Sequence, residues 1–116
     1  MVNAPRRGDV WWATLPSPRG SEPGYARPVL IVQSNRFNES GIRTVLVAAL
    51  TSNLDLAHAP GNVRVSSSDS GLQKTSVVNV SQLITLGRQF LGERIGTLPA
   101  AVMNQVANGL RLVLGL

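Results

Sequence analysis

Residues 20–32 join a turn-rich loop to a short buried strand, and Arg27 stands where the two meet. Two glycines, a proline and a serine give the loop its turn geometry, whereas the aliphatic run after Pro28 is typical of a buried strand. Pro28 biases the preceding arginine toward an extended backbone. A guanidinium held in this way can bind a phosphate through two parallel hydrogen bonds. Alternatively, Arg27 only caps this end of the strand and pairs with Glu22 of the loop.

A second set of polar residues follows the next strand. Residues 42–50 are almost uniformly apolar, which indicates a strand in the middle of a sheet, and Thr51 closes that strand. If residues 28–34 and 42–50 pair in antiparallel fashion, the start of one strand lies beside the end of the other. Arg27 and Thr51 would then be neighbours at the rim of the sheet, next to the loop. This juxtaposition predicts a site.

Composition sets the class of protein. The chain has 116 residues, of which 43% are hydrophobic, so it is long enough for a single domain spanning residues 1–116 and unlike a disordered chain. The net charge of +5 favours an anionic partner. Ten of the eleven basic residues are arginine, which suits phosphate recognition but also fits a GC-rich genome. The absence of cysteine excludes disulfides and fits a reducing cytosol, and no signal peptide or membrane span is visible.

The remaining pattern predicts a mainly β protein with one C-terminal α-helix. Further strands are expected at residues 6–15, 61–66, 75–80 and 83–86, and a helical turn or an irregular connection is expected at residues 88–94. Trp11 and Trp12 should point to opposite faces of the first strand. From Thr97, a plausible N-cap, an apolar stripe at helical spacing runs to Gly115. Short strands with long loops favour a small SH3-like barrel with the helix packed on it.

Other kinds of chemistry have little support. His58 is the only histidine and lies in a loop between two alanines, so it is expected to be a surface residue. The sequence contains no phosphate-cradling glycine motif, no metal-ligand cluster and no histidine–carboxylate arrangement. No metal and no cofactor are therefore expected.

The ordered set of motifs resembles the MazF/PemK family of toxins from type II toxin–antitoxin systems. The resemblance is carried by Gly8-Asp9-Val10-Trp11, Gly20-Ser21-Glu22, Arg27-Pro28, Thr51-Ser52 and Gln82, in that order, followed by an amphipathic helix. It covers nearly the whole chain. It implies a small SH3-like β-barrel, a homodimer, a cytoplasmic location, an acidic antitoxin partner similar to MazE, and metal-independent cleavage of single-stranded RNA at short sequences.

The resemblance also assigns residues to roles. Arg27 and Thr51 match the usual catalytic pair of the family, and Glu22 is a candidate base or a partner that orients the arginine. Tyr25 can stack on a base or pack on the barrel. The remaining substrate-binding candidates are polar residues of the loops and strand ends: Ser21, Ser52, Asn53 and Gln82.

Two departures concern the strand before Gln82. Some relatives carry an arginine and an aspartate where this chain has Asn79 and Ser81. If those relatives use the pair as acid and base, this chain must obtain its proton transfers from other residues.

Two other functions stay open. One is a gyrase poison of the CcdB type, although this chain lacks the C-terminal tryptophan of such proteins. The other is an RNA-binding barrel without enzymatic activity.

Overall fold

The computed structural model describes residues 4–15 and 25–116 as a six-stranded sheet with a C-terminal helix. Ser21 and Glu22 lie outside these residues. The strands are β1 (Asp9–Leu15), β2 (Tyr25–Ile31), β3 (Thr44–Thr51), β4 (Val63–Val65), β5 (Ser76–Gly87) and β6 (Leu91–Thr97). The helices in the described part are the four-residue α1 (Asn35–Asn38) and α2 (Ser67–Ser70) and the longer α3 (Ala100–Leu114). Short 3-10 helices occupy Leu54–His58 and Arg88–Phe90. None of the helices within the described ranges is long and apolar enough to cross a membrane.

The sheet is antiparallel throughout and curls into a half-barrel, in which the two edge strands do not pair with each other. Its strand order is β4-β5-β3-β2-β1-β6, so β4 and β6 are the edges. Helix α2 follows β4 and lies against β6. The approach is close, because a Cβ built on Gly96 would lie 2.6 Å from the carbonyl oxygen of Ser70. The mainly β fold with a curled, barrel-like sheet and a C-terminal helix confirms the predicted fold class.

Both faces of the sheet bury apolar side chains. One cluster includes Leu30, Leu50 and Val106 and lies between the sheet and α3. The other includes Trp11 and Val29 on the opposite face. The predicted split of the tryptophans is confirmed, because Trp11 is 6% exposed whereas Trp12 is 40% exposed. The Trp12 ring on β1 is therefore partly accessible to a ligand.

Several predicted boundaries were wrong. Strand β2 begins at Tyr25 and not at Pro28, since Tyr25 and Ala26 already pair with β1. Strand β5 is continuous across the gap predicted between two strands, and residues 80–82 form an irregularity in its pairing with β3. At residues 88–94, the predicted helical turn is present as the 3-10 helix Arg88–Phe90, but β6 begins at Leu91. The two glycines and two charged residues of β6 weaken its strand pattern.

Asp9 is a structural carboxylate. Although it is only 3% exposed, its oxygens accept hydrogen bonds from the Arg6 backbone N–H at 3.0 Å, from the Thr97 hydroxyl at 3.0 Å and from the Trp11 indole at 3.4 Å. These bonds tie β1 to the end of β6. Thr97 is thereby used for this contact and does not cap α3, which begins after Pro99. The predicted end of the helix at Gly115 is confirmed by its left-handed φ of 73°.

The packing of α3 depends on a close contact between two glycine backbones. A Cβ built on Gly109 would lie 2.1 Å from the carbonyl oxygen of Gly61, a turn residue with a φ of +81°. Helix propensity alone would make Gly109→Ala stabilising by about 1 kcal/mol. We expect the opposite result, a loss of about 2 kcal/mol or more in the free energy of unfolding, because overpacking against a backbone atom forces the helix away from the sheet.

Urea denaturation of the wild type and of Gly109→Ala measures the difference in their free energies of unfolding. Asn104→Ala is the matched control, because Asn104 is exposed on the same helix and its replacement improves helix propensity by a few tenths of a kcal/mol without a clash. A Gly109→Ala protein as stable as the wild type would contradict the described packing of α3.

Candidate active site

The site is built by the pairing of β2 with β3. Val29 lies opposite Ala49 in this antiparallel ladder, and the same register continued by two residues sets Arg27 against Thr51. Both residues are half-buried. The alternation of side chains puts them on the same face of the sheet as Val29. The juxtaposition expected from the sequence is therefore present in the fold.

The Arg27 guanidinium is held at the rim of the sheet by two contacts. Its Nη2 donates a long hydrogen bond of 3.4 Å to the Leu50 carbonyl oxygen. Its central carbon lies 5.8 Å from the centre of the Tyr25 ring, within the range of a cation–π interaction. An arginine has five N–H donors, so most of the guanidinium N–H groups have no partner among the described residues and can bind an anion.

The Thr51 hydroxyl is oriented by the backbone that follows it. Its oxygen accepts a hydrogen bond of 3.1 Å from the Asn53 backbone N–H. Because the hydroxyl is an acceptor in this bond, its own proton is available for a second group. Asn53 in turn caps the 3-10 helix, since its side-chain oxygen accepts a hydrogen bond of 3.2 Å from the Asp55 N–H. The turn after β3 therefore orients the Thr51 hydroxyl.

A cavity of about 660 Å³ contains this pair. Its walls come from β1, β2, β3, β6 and the loop before β5. The lining residues are Trp12, Arg27, Pro28, Leu50, Thr51, Ser52, Gly71, Leu72, Gln73, Lys74, Ser76 and Ile95. It combines two cations and three hydroxyls with an aromatic ring and three aliphatic side chains. Such a cavity suits a ligand with both phosphate groups and planar bases.

The other candidate residues are distributed around this cavity. Ser52 lines it, and Tyr25 lies beside it through its contact with Arg27. Gln82 is exposed at the irregularity of β5 and does not line the cavity. Ser21 and Glu22 fall outside the described residues, so their predicted roles stay predictions. His58 is exposed at the end of a 3-10 helix, as expected for a surface residue.

The lining residues that the sequence reasoning missed include Trp12, Leu72, Gln73, Lys74 and Ile95. A signal for Trp12 was available, since it is the outward-facing member of the tryptophan pair. The others come from the α2–β5 loop and from β6, and their approach depends on the curling of the sheet. Within residues 4–15 and 25–116, no group of three or more His, Cys, Asp or Glu residues could hold a metal ion.

Comparison with known proteins identifies the family. Residues 6–114 match the family described as PemK-like, MazF-like toxin of type II toxin–antitoxin system, so this chain belongs to that family. Endoribonuclease MazF6 of Mycobacterium tuberculosis is 44% identical over 110 residues, which are 95% of this chain and 96% of that protein. Endoribonuclease MazF of Staphylococcus saprophyticus is 39% identical over 111 residues, covering 96% of this chain and 92% of that protein.

Solved structures agree with this assignment. An endoribonuclease from Mycobacterial species superposes with a TM-score of 0.80 at 33% identity, covering 100% of this chain and 96% of the other. An endoribonuclease in complex with its cognate antitoxin, also from Mycobacterial species, gives 0.80 at 34% identity, with 97% of each chain covered. A MazE–MazF structure from Deinococcus radiodurans has the same fold, with a TM-score of 0.79 at 23% identity and 98% of each chain covered. The gyrase-poison alternative receives no support from these matches.

Proposed function

We propose that this protein is the toxin of a type II toxin–antitoxin pair and acts as a metal-independent, sequence-specific endoribonuclease on single-stranded RNA. The observation that carries the proposal is the shared cavity of Arg27 and Thr51 in a chain of the PemK-like, MazF-like family. Its relatives are named endoribonucleases. A barrel that only bound RNA would not need a rigid guanidinium and an oriented hydroxyl at one point.

The reaction requires little from the protein, because RNA carries its own nucleophile. The 2′-OH attacks the adjacent phosphorus, the bond to the 5′-oxygen breaks, and the products are a 2′,3′-cyclic phosphate and a 5′-OH. Arg27 stabilises the negative charge that grows on the phosphoryl oxygens, an interaction that is stronger in the transition state than in the ground state. Thr51 donates its hydroxyl proton to the same oxygens. Glu22 is the candidate base for the 2′-OH.

Recognition of the RNA uses the rest of the cavity. Trp12 and Tyr25 offer aromatic rings on which bases can stack, each worth about 1–3 kcal/mol. Ser52 adds a hydroxyl in the cavity, and Asn53 adds an amide in the turn after β3. Ser21 and Gln82 complete the proposed substrate contacts. The mixture of stacking and hydrogen bonding is suited to unpaired bases, whose edges are free.

The proposed partners follow from charge and exposed surface. A net charge of +5 suits an acidic antitoxin similar to MazE, which would compete with RNA for the basic cavity. The exposed apolar side chains of Leu112, Leu114 and Leu116 at the end of α3 suit a second copy of the chain in a homodimer. We propose a cytoplasmic location, where both RNA and antitoxin are found, and one toxin domain over residues 1–116.

Incubation of the purified protein with a long single-stranded RNA in excess EDTA tests the proposal. We expect discrete fragments whose new 5′ ends, mapped by sequencing, follow a short common sequence. The 5′ fragments should end in a 2′,3′-cyclic phosphate, and addition of the antitoxin should stop the reaction. RNA that is bound but stays intact would support the non-enzymatic barrel, and fragments with 5′-phosphates would show that water attacks and not the 2′-OH.

A further inference from the structure

Thr51 has a basic residue on each side of it across the sheet. On one side, the register of β2 and β3 sets Arg27 against Thr51. On the other side, Thr51 pairs with Val77 of β5, and Lys74 stands three residues before Val77 in the loop that leads into β5. Both Arg27 and Lys74 line the same cavity as Thr51. A phosphate bound at Thr51 would therefore share its cavity with a guanidinium and an ammonium.

The loop that carries Lys74 is anchored at both ends. Ser70 is fully buried, and its hydroxyl oxygen accepts a hydrogen bond of 3.0 Å from the Leu72 backbone N–H. The Ser76 hydroxyl, also buried, donates to the carbonyl oxygen of Lys74 at 3.1 Å. Lys74 itself is exposed, and its ammonium forms no ion pair with a carboxylate of residues 4–15 or 25–116. The backbone is therefore fixed, whereas the charged end has no carboxylate partner among the described residues.

The proposed reaction needs a proton for the leaving 5′-oxygen, since an alkoxide is a poor leaving group. Asn79 and Ser81 cannot supply one as an ionisable side chain, and Ser81 donates to the Asn79 side-chain oxygen at 2.8 Å. Among the described residues that line the cavity, Arg27 and Lys74 are the only ones with an ionisable side chain. An arginine keeps its protons in proteins, whereas a lysine ammonium can release one.

We propose that Lys74 is the general acid of the cleavage reaction, an inference that rests on the proposed endoribonuclease function. The bond from the 2′-oxygen to phosphorus forms while the bond from phosphorus to the 5′-oxygen breaks. The 5′-oxygen takes a proton from the Lys74 ammonium, and the base, for which Glu22 is the candidate, takes the proton of the 2′-OH. Lys74 then regains a proton from solvent and the base releases its proton to solvent, so the protein returns to its starting state.

Two substitutions and two substrates test this role. Lys74→Ala removes the ammonium, and Lys74→Arg keeps the charge but holds its protons. Each variant is assayed on ordinary RNA and on the same RNA with sulfur in place of the leaving 5′-oxygen at the cleavage site. A thiolate leaves without protonation, because a thiol has a pKa of about 8.5, far below that of an alcohol. Arg36→Ala, which removes an exposed cation from α1 at the opposite end of β2 and β3, is the control.

We expect both Lys74 variants to cleave ordinary RNA about 10²–10⁴-fold more slowly than the wild type, the usual contribution of a general acid. On the sulfur substrate, both variants should cleave at the wild-type rate, and Arg36→Ala should match the wild type on both substrates. Equal losses of rate on the two substrates, or a wild-type rate on ordinary RNA in Lys74→Arg, would show that Lys74 only binds phosphate. Either result would overturn the role of Lys74 as general acid and leave the proposed endoribonuclease function in place. A wild-type protein that cleaves neither substrate would overturn the proposed function as well.

Discussion

Arg27→Ala is expected to cut the rate of RNA cleavage by at least about 10²-fold, the scale of losing one electrostatic stabiliser of a transition state. Arg27 is half-buried at the rim of the sheet, and within residues 4–15 and 25–116 its guanidinium makes one long hydrogen bond and one ring contact. Its loss removes little stability but leaves the growing charge on the phosphoryl oxygens without its main partner. The rate is measured on a short labelled RNA under single-turnover conditions.

Two further variants separate charge from geometry. Arg27→Lys keeps the positive charge but loses the planar fork that binds two oxygens at once, so an intermediate rate is expected. Thr51→Ala should lose less than Arg27→Ala, because a neutral hydroxyl contributes less than a guanidinium. Circular dichroism checks that each variant is folded. Full activity in a folded Arg27→Ala protein would remove Arg27, and with it the proposed site, from the mechanism.

Local sequence patterns were sufficient to predict the pairing that creates the site. Each of β2 and β3 is an apolar run ended by polar residues, and the short connection predicted at residues 35–41 favours an antiparallel pair, which the structure contains. That pairing predicts Arg27 and Thr51 as neighbours, and the register of the structure sets them opposite each other. The end of α3 was equally predictable, because Gly115 adopts the left-handed conformation that glycine provides at helix ends.

Features that depend on distant contacts were not predictable from local patterns. Strand β5 stays continuous because Asn62, which is 18 residues away, accepts a hydrogen bond of 2.9 Å from the Val80 backbone N–H within the irregular part of the strand. Strand β6 is a strand because β1 pairs with it, although glycines interrupt its pattern. Lys74 and Ile95 reach the cavity only after the sheet has curled. No local pattern contains this information.

Replacing the single 2′-OH next to the cleaved phosphate by hydrogen should abolish cleavage at that position. The nucleophile of the proposed mechanism belongs to the RNA, so the deoxy substrate lacks the attacking group while every protein group remains in place. Binding should change little, because contacts to phosphates supply most of the affinity for nucleic acids and their number is unaltered. The measurement compares cleavage and binding of two RNAs that differ at one sugar.

The position of the deoxy sugar supplies the control. A deoxy sugar one nucleotide further along should leave cleavage intact, since it does not carry the attacking oxygen. Residual cleavage of the first substrate at the original bond would mean that water attacks the phosphorus. No 2′-OH proton would then be removed, so the role proposed for Glu22 as base toward the 2′-OH would fall. A 5′-phosphate on the new fragment would show that the 3′-oxygen leaves instead of the 5′-oxygen, and the role of Lys74 as acid toward the 5′-oxygen would fall as well.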